Sequence, residues 1–226
     1  MSARHQICQQ LPPARPVREI VVGEKGFSAD DVIPLSEPVI LRGLVAHWPA
    51  VRAAKSSRED LLAYLSRFGH DAVVPVSVGP ASIAGRVFYN ADFSGMNVER
   101  GTARFGEVLR RVYKHGAAEP PPLIYMASID VDEHLSGFRH ENDVDFGPFK
   151  PLPSIWIGTR TRIAAHNDLP LNLACVVAGR RTFTLFPPDQ TPNLYVGPFE
   201  LTPAGRPISM VDLAAPDLER FPRFAA

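Results

Sequence analysis

A chain of 226 residues, 45% of them hydrophobic, is long enough for one sizeable domain with a buried core. Its 24 Lys plus Arg balance 24 Asp plus Glu, so no net field draws it to nucleic acid or to an anionic membrane, and neither is expected as a partner. No apolar run approaches the roughly twenty residues of a membrane span, residues 1–16 lack a signal-peptide core, and the two cysteines (Cys8 in a polar leader, Cys175 in an alternating apolar run) suggest no disulfide framework, so the expected location is the reducing cytoplasm.

In chain order, residues 1–19 read as a flexible leader, rich in Gln, Pro and Arg, and 20–226 as one domain. A short strand is expected at 20–22, a helix start at Ser28 with Asp30 and Asp31 behind it, a strand at 38–41, and a turn and exit over 43–49. Trp48 reads as core. Leu61, Leu62, Leu65 and Phe68 at helical spacing predict an amphipathic helix over 57–68, and Ser57 with Asp60 resembles a capping box with Asp in place of Glu. Strands follow at 73–78 and 86–89. A second helix is predicted over 102–115, with Phe105, Val108, Leu109 and Val112 on one face and Gly116 at its end. A proline-rich connector at 119–122 leads to a strand at 123–128. Together, residues 20–150 read as an N-terminal α/β cap with the first strands of a sheet.

Residues 153–190 organise the rest. Four short apolar runs, at 154–158, 162–166, 172–178 and 181–186, are broken at Gly158-Thr159 and Ala178-Gly179-Arg180 and stopped by Pro187-Pro188. That pattern predicts antiparallel hairpins, as in a jelly roll or cupin barrel, and an α+β, mainly β fold class. His166 and Asp168 stand two apart; on an extended segment both point to one face and could share a ligand, with Asn167 pointing away. Spacing alone is a weak signal, since a strand-end pair bonded to backbone gives the same pattern.

The surrounding residues carry a resemblance. Ile155-Trp156-Ile157-Gly158, His166-Asn167-Asp168, Asn172, Gly179-Arg180-Arg181 and Leu185-Phe186-Pro187-Pro188-Asp189-Gln190 together resemble the signature of the cupin-like, JmjC-type iron(II) and 2-oxoglutarate dependent oxygenases. Residues 39–48 resemble that family's entry segment and 211–224 its insert before the last barrel strands. The resemblance implies a double-stranded β-helix, with 151–226 as its metal-bearing strands. It implies iron(II) held by His166 and Asp168 and 2-oxoglutarate as cosubstrate, with Tyr125, Asn172 and Arg181 as its binding residues. The family usually has Lys where Arg181 stands, pairing with the distal carboxylate; arginine would do so bidentately. If Phe183 and Leu185 face inward, Arg181 does too; if the strand is turned over, Arg181 is a solvated residue. Tyr125 is otherwise a core tyrosine with its hydroxyl at the rim, and Asn172 a turn residue after Pro170. Ile163 takes a place where some related hydroxylases carry a Thr that holds the cosubstrate.

One departure weighs against these agreements. No histidine follows His166, and Ala226 comes before the late strand on which the family carries its second ligand histidine, so the facial triad of two His and one carboxylate is incomplete in this chain. The expectation is either a truncated copy lacking its last barrel strands or a protein without the catalysis. In the first case the parent hydroxylates a protein side chain or a small molecule, lysine demethylation being less favoured; in the second a degenerate cupin binds a ligand or partner without turnover. Unpaired sheet edges would favour poor solubility or association, leaving a homo-oligomer open. A rival cluster, His134, His140, Glu141, Asp143 and Asp145, fits no compact ligand spacing and reads as a solvated acidic loop. His47, His70 and His115 read as element ends.

Overall fold

The computed structural model describes residues 15–23, 26–69, 71–200, 202 and 205–225; Cys8, His70 and most of the expected leader lie outside them. Strand β1 (Arg18–Val21) runs parallel to β2 (Val39–Arg42), with the single-turn helix α1 (Ala29–Val32) between them. Ser28 has the extended backbone of an N-cap, but its side chain makes no capping bond.

Helix α2 (Pro49–Ser56) begins at the last residue of the expected turn and exit over 43–49 and fills a stretch for which the sequence suggested no element. Pro49 stands in its first turn, where a fixed φ and a missing N–H cost nothing. The Ala50 N–H is taken by Asn142 Oδ1 at 3.1 Å, and Trp48, buried as expected, donates its indole N–H to the Asp143 carbonyl at 2.9 Å. In α3 (Arg58–Leu65) the Ser57 hydroxyl accepts from the Asp60 N–H at 2.9 Å. The reciprocal half of the capping box does not form: the Ser57 N–H already donates to Ala53 O at 3.2 Å, closing α2, and the Asp60 carboxylate accepts from Ser56 instead. The helix stops before Phe68, which is nonetheless buried.

The main sheet is built from β3 (Val73–Gly79), β5 (Glu99–Arg104), β6 (Leu123–Asp130) and β7 (Ser154–Gly158), all antiparallel in the order β5-β3-β6-β7. The short strand β4 (Arg86–Val87) lies outside it and pairs parallel with β8 (Arg162–Ile163). Residues 102–104, read as helical, belong to β5: Thr102, Ala103 and Arg104 face Pro75, Val74 and Val73, and strand pairing overrides the helical spacing. Helix α4 (Phe105–His115) begins at the next residue and buries Phe105, Val108 and Leu109, as expected of its face. Gly116 caps it in the right-handed conformation. Two single-turn helices, α5 (Val131–His134) and α6 (Phe138–Glu141), follow β6.

One core holds these parts together. Val74 and Val76 of β3 and Ile124, Met126 and Ile129 of β6 pack against Tyr64 and Leu65 of α3, Phe105, Val108 and Leu109 of α4, and Leu135 and Phe138 of the small helices. Each such side chain, fully withdrawn from water, contributes about 1.5–3 kcal/mol.

The hairpins expected over 154–186 form only in part. The run at 154–158 is β7, but the second run pairs only over Arg162–Ile163, and does so in parallel with β4. Residues 164–187 carry no strand or helix, so the strands expected at 172–178 and 181–186 are absent from the described ladders, although Gly179 (φ 73°) bends the chain where the turn was expected. The reason is the lack of a neighbour. Backbone N–H and C=O groups with no adjacent strand stay bonded to water, and Leu171, Leu173, Val176, Phe183 and Leu185 remain exposed. Helix and strand thus have comparable shares among the described residues, and the fold is mixed rather than mainly β.

Candidate metal and cosubstrate site

The segment that carries His166 is tied down from the opposite side of the chain. Val87 and Ile163 are in register across β4 and β8, and Asp212 lies between Arg162 (Nη1 to Oδ1, 3.2 Å) and Arg86 (Nε to Oδ2, 3.6 Å). One residue before the histidine, Ala165 O accepts from the Ser209 N–H at 2.7 Å. Ser209, 1% exposed, also donates its hydroxyl to Leu194 O at 2.6 Å and accepts from the Val211 N–H at 3.1 Å. Neither Ser209 nor Asp212 was singled out from the sequence; a small polar residue inside the apolar run 208–211 was the only available signal.

His166 Nδ1 lies 2.8 Å from Ala164 O. A carbonyl oxygen only accepts, so in the neutral ring the proton sits on Nδ1 and the lone pair on Nε2. That Nε2 faces Asp168 Oδ1 at 3.6 Å, and Asn172 Nδ2 donates to Asp168 Oδ2 at 3.0 Å. The imidazole and the carboxylate are therefore on one side, as their spacing suggested. A neutral imidazole and a carboxylate facing each other at 3.6 Å are within reach of one ion bonded to each at about 2.1 Å, and a protonated imidazole would pair with the carboxylate directly. Neutral imidazole and ionised carboxylate suit iron(II). Among the described residues no third His, Cys, Asp or Glu joins the pair.

Tyr125 and Arg181, which come from distant segments, meet. Tyr125 lies on β6 opposite Gly158, and a Cβ at Gly158 would stand 2.7 Å from Ile124 O and 3.0 Å from the Tyr125 ring. The bare backbone there makes room for the ring. Burial pushes the Tyr125 phenol above its ordinary pKa, while the nearby Arg181 guanidinium, chiefly by its charge, opposes the rise. Arg181 also stacks over Phe183, Cζ to centroid 5.2 Å. Exposed Phe183 and Leu185 do not make an inward-facing strand, yet the arginine reaches back to the sheet.

The rival cluster is largely solvated, as expected, but is only partly a loop: His134 lies in α5, His140 and Glu141 in α6, and Asp143 and Asp145 in the turn that follows. Arg139 donates to Asp132 and Asp143, both at 2.8 Å, and Asp145 accepts from the Gly147 N–H at 2.8 Å. Glu141 accepts from the Tyr64 hydroxyl at 2.9 Å and from Arg67 at 2.8 Å. These acids are exposed and already have partners within the fold, and among the described residues they form no group that could hold a metal. A cavity of about 510 Å³ bounded by Tyr195, Met210, Phe221 and Arg223 contains none of the candidate ligands.

Comparison with known proteins agrees with this architecture. The cupin-like domain family matches residues 24–226. Lysine-specific demethylase JMJ32 of Arabidopsis thaliana is 26% identical over 202 residues, covering 80% of this chain and 56% of that protein. JmjC domain-containing protein E of Dictyostelium discoideum is 25% identical over 219 residues, with 86% and 59% covered. The bifunctional peptidase and (3S)-lysyl hydroxylase JMJD7 of Homo sapiens is 26% identical over 255 residues, with 99% and 75% covered. The chain thus spans little more than half the length of the first two. Among the described residues no helix is long and apolar enough to cross a membrane. With its family match running from residue 24 to the last residue, and JmjC proteins aligned over most of its length, the chain belongs to the cupin-like, JmjC-type family.

Proposed function

We propose that the chain forms the core of an iron(II) and 2-oxoglutarate dependent oxygenase that hydroxylates a protein side chain or a small molecule. The observation that carries this reading is the facing of His166 Nε2 and Asp168 Oδ1 at 3.6 Å, with the proton held on the other imidazole nitrogen. His166 and Asp168 would hold the iron as one neutral and one anionic ligand. Arg181 and Tyr125 would receive the distal carboxylate of 2-oxoglutarate, the guanidinium by charge and the phenol by its O–H. Ile163 offers no hydroxyl, so that carboxylate relies on these two. When bound, iron(II) and 2-oxoglutarate supply oxygen activation coupled to loss of carbon dioxide, leaving succinate. Two of the relatives are named for chemistry on lysine, which makes lysine-containing peptides the first substrates to try.

A second reading, a cupin that binds a ligand without turnover, is supported by the two-ligand set among the described residues. Succinate release from 2-oxoglutarate with iron(II), ascorbate and peptide pools separates them. Succinate formed by the 226-residue chain and abolished in His166→Ala supports the oxygenase. Binding of 2-oxoglutarate without succinate supports the second reading, and no binding of either metal or 2-oxoglutarate sinks both.

A further inference from the structure

Taking His166 and Asp168 as the ligand pair of the proposed function, on which this rests, we infer that Asn172 is a positioning residue that assigns the two oxygens of the Asp168 carboxylate to different tasks. An ionised carboxylate only accepts, so the contact at 3.0 Å fixes the Asn172 amide with Nδ2 as donor and commits Oδ2. The oxygen left over is Oδ1, the one that faces His166 Nε2 at 3.6 Å. This is the only hydrogen bond to the Asp168 side chain among the described residues, and that side chain is 51% exposed on a segment without strand ladders. Without it the carboxylate would rotate freely, and a metal would have to freeze that motion on binding.

The spacing follows from the local fold. Leu169 and Pro170 bend the chain, and the bend returns Asn172 to the acid four residues earlier. The donor the sequence suggested for the cosubstrate is therefore engaged by the ligand itself. Outer hydrogen bonds of this kind typically change metal affinity by about 10–100-fold.

Mn²⁺ is the probe, because it takes oxygen and nitrogen ligands and its free ion is read by electron paramagnetic resonance. In the 226-residue chain, Asn172→Ala is expected to raise the Mn²⁺ Kd by about tenfold or more, with the melting temperature moved by less than about 2 °C. Asn172→Gln, which keeps the amide, should recover part of the loss, and the visible bands of bound Co²⁺ should shift in Asn172→Ala. If Asn172→Ala binds Mn²⁺ as tightly as the parent while His166→Ala does not bind, the ligand pair stands and the inference is overturned. If Asn172→Ala loses 2-oxoglutarate but keeps Mn²⁺, the residue serves the cosubstrate and the inference is again overturned. If His166→Ala leaves Mn²⁺ binding unchanged, or the parent binds none, the ligand reading fails and takes the inference with it.

Discussion

Gly158 carries a constraint out of proportion to its size. With Ile124 O only 2.7 Å from where a Cβ would stand, Gly158→Ala must shift β7 against β6 or displace the Tyr125 ring. Overpacking of this kind costs about 1–3 kcal/mol, so thermal unfolding should show a loss of roughly 2–10 °C, together with weaker 2-oxoglutarate binding; an unchanged melt would mean that the ring lies elsewhere. The Tyr125 phenol gives a second residue-level test. Its pKa is raised by burial and held back by Arg181, so Arg181→Gln should move it further upward in an ultraviolet pH titration, and a downward shift would contradict the contact. The stability sign follows: a raised folded-state value favours the neutral phenol, so its contribution is present below the ordinary tyrosine range and is lost as pH rises through the folded value. The spacing of His166 and Asp168 suggested a pair by strand alternation; the two do face each other, but on a segment with no strand, so alternation is not the cause. The contact of Asn172 with Asp168 was not legible, since a separation of four has meaning on a helix but none in an irregular segment. Tyr125 and Arg181 were linked by resemblance, and no periodicity relates positions on separate segments.

At the level of elements, the helices show how far local rules reach. Ser57 was identified as a cap from sequence and acts as one, so Ser57→Ala should cost about 1 kcal/mol, or about 2–4 °C in a chain of this length, measured by calorimetry. The missing half of the capping box was beyond local reading, because α2, whose end uses the Ser57 N–H, was itself not predicted. Likewise nothing local separates residues 102–104 from the helix after them; the difference is the register with β3. The docking of α6 on α3 is expected to weaken in acid. The Tyr64 hydroxyl and Arg67, which bond to Glu141, hold its carboxyl below the ordinary glutamate value. A depressed folded value means that the stabilisation is present above the unfolded pKa and lost as pH falls through the folded one. Glu141→Gln should therefore lower the melting temperature at neutral pH and make no difference once both forms are protonated, in melts compared from pH 7 to about 3. A difference that persists in acid would assign the effect to packing.

Across the whole molecule, order is uneven. The four-stranded sheet and its helices share one continuous core, so Met126→Ala, at a site with no solvent exposure, should cost about 2–5 kcal/mol in denaturant unfolding. The half that carries the candidate ligands leaves Leu169, Leu171, Val176, Phe183 and Leu185 exposed, and such surface promotes association. Sedimentation velocity should show concentration-dependent association that Leu171→Lys with Leu185→Lys reduces; a single monomeric boundary at every concentration would rule it out. The N-terminal elements were mostly legible because each strand has a neighbour within the described chain, whereas the same alternating pattern at 172–186 has none and makes no ladder. Because residues 164–187 hang from β8 and the Ser209 anchor with no ladder of their own, their amides should exchange with deuterium almost as fast as in an unfolded peptide, while those of β3 and β6 are retained. Uptake of an ion by this segment and the slowing of its exchange would then be a single equilibrium, in which affinity is limited less by the ligands themselves than by the free energy needed to immobilise the stretch that bears them.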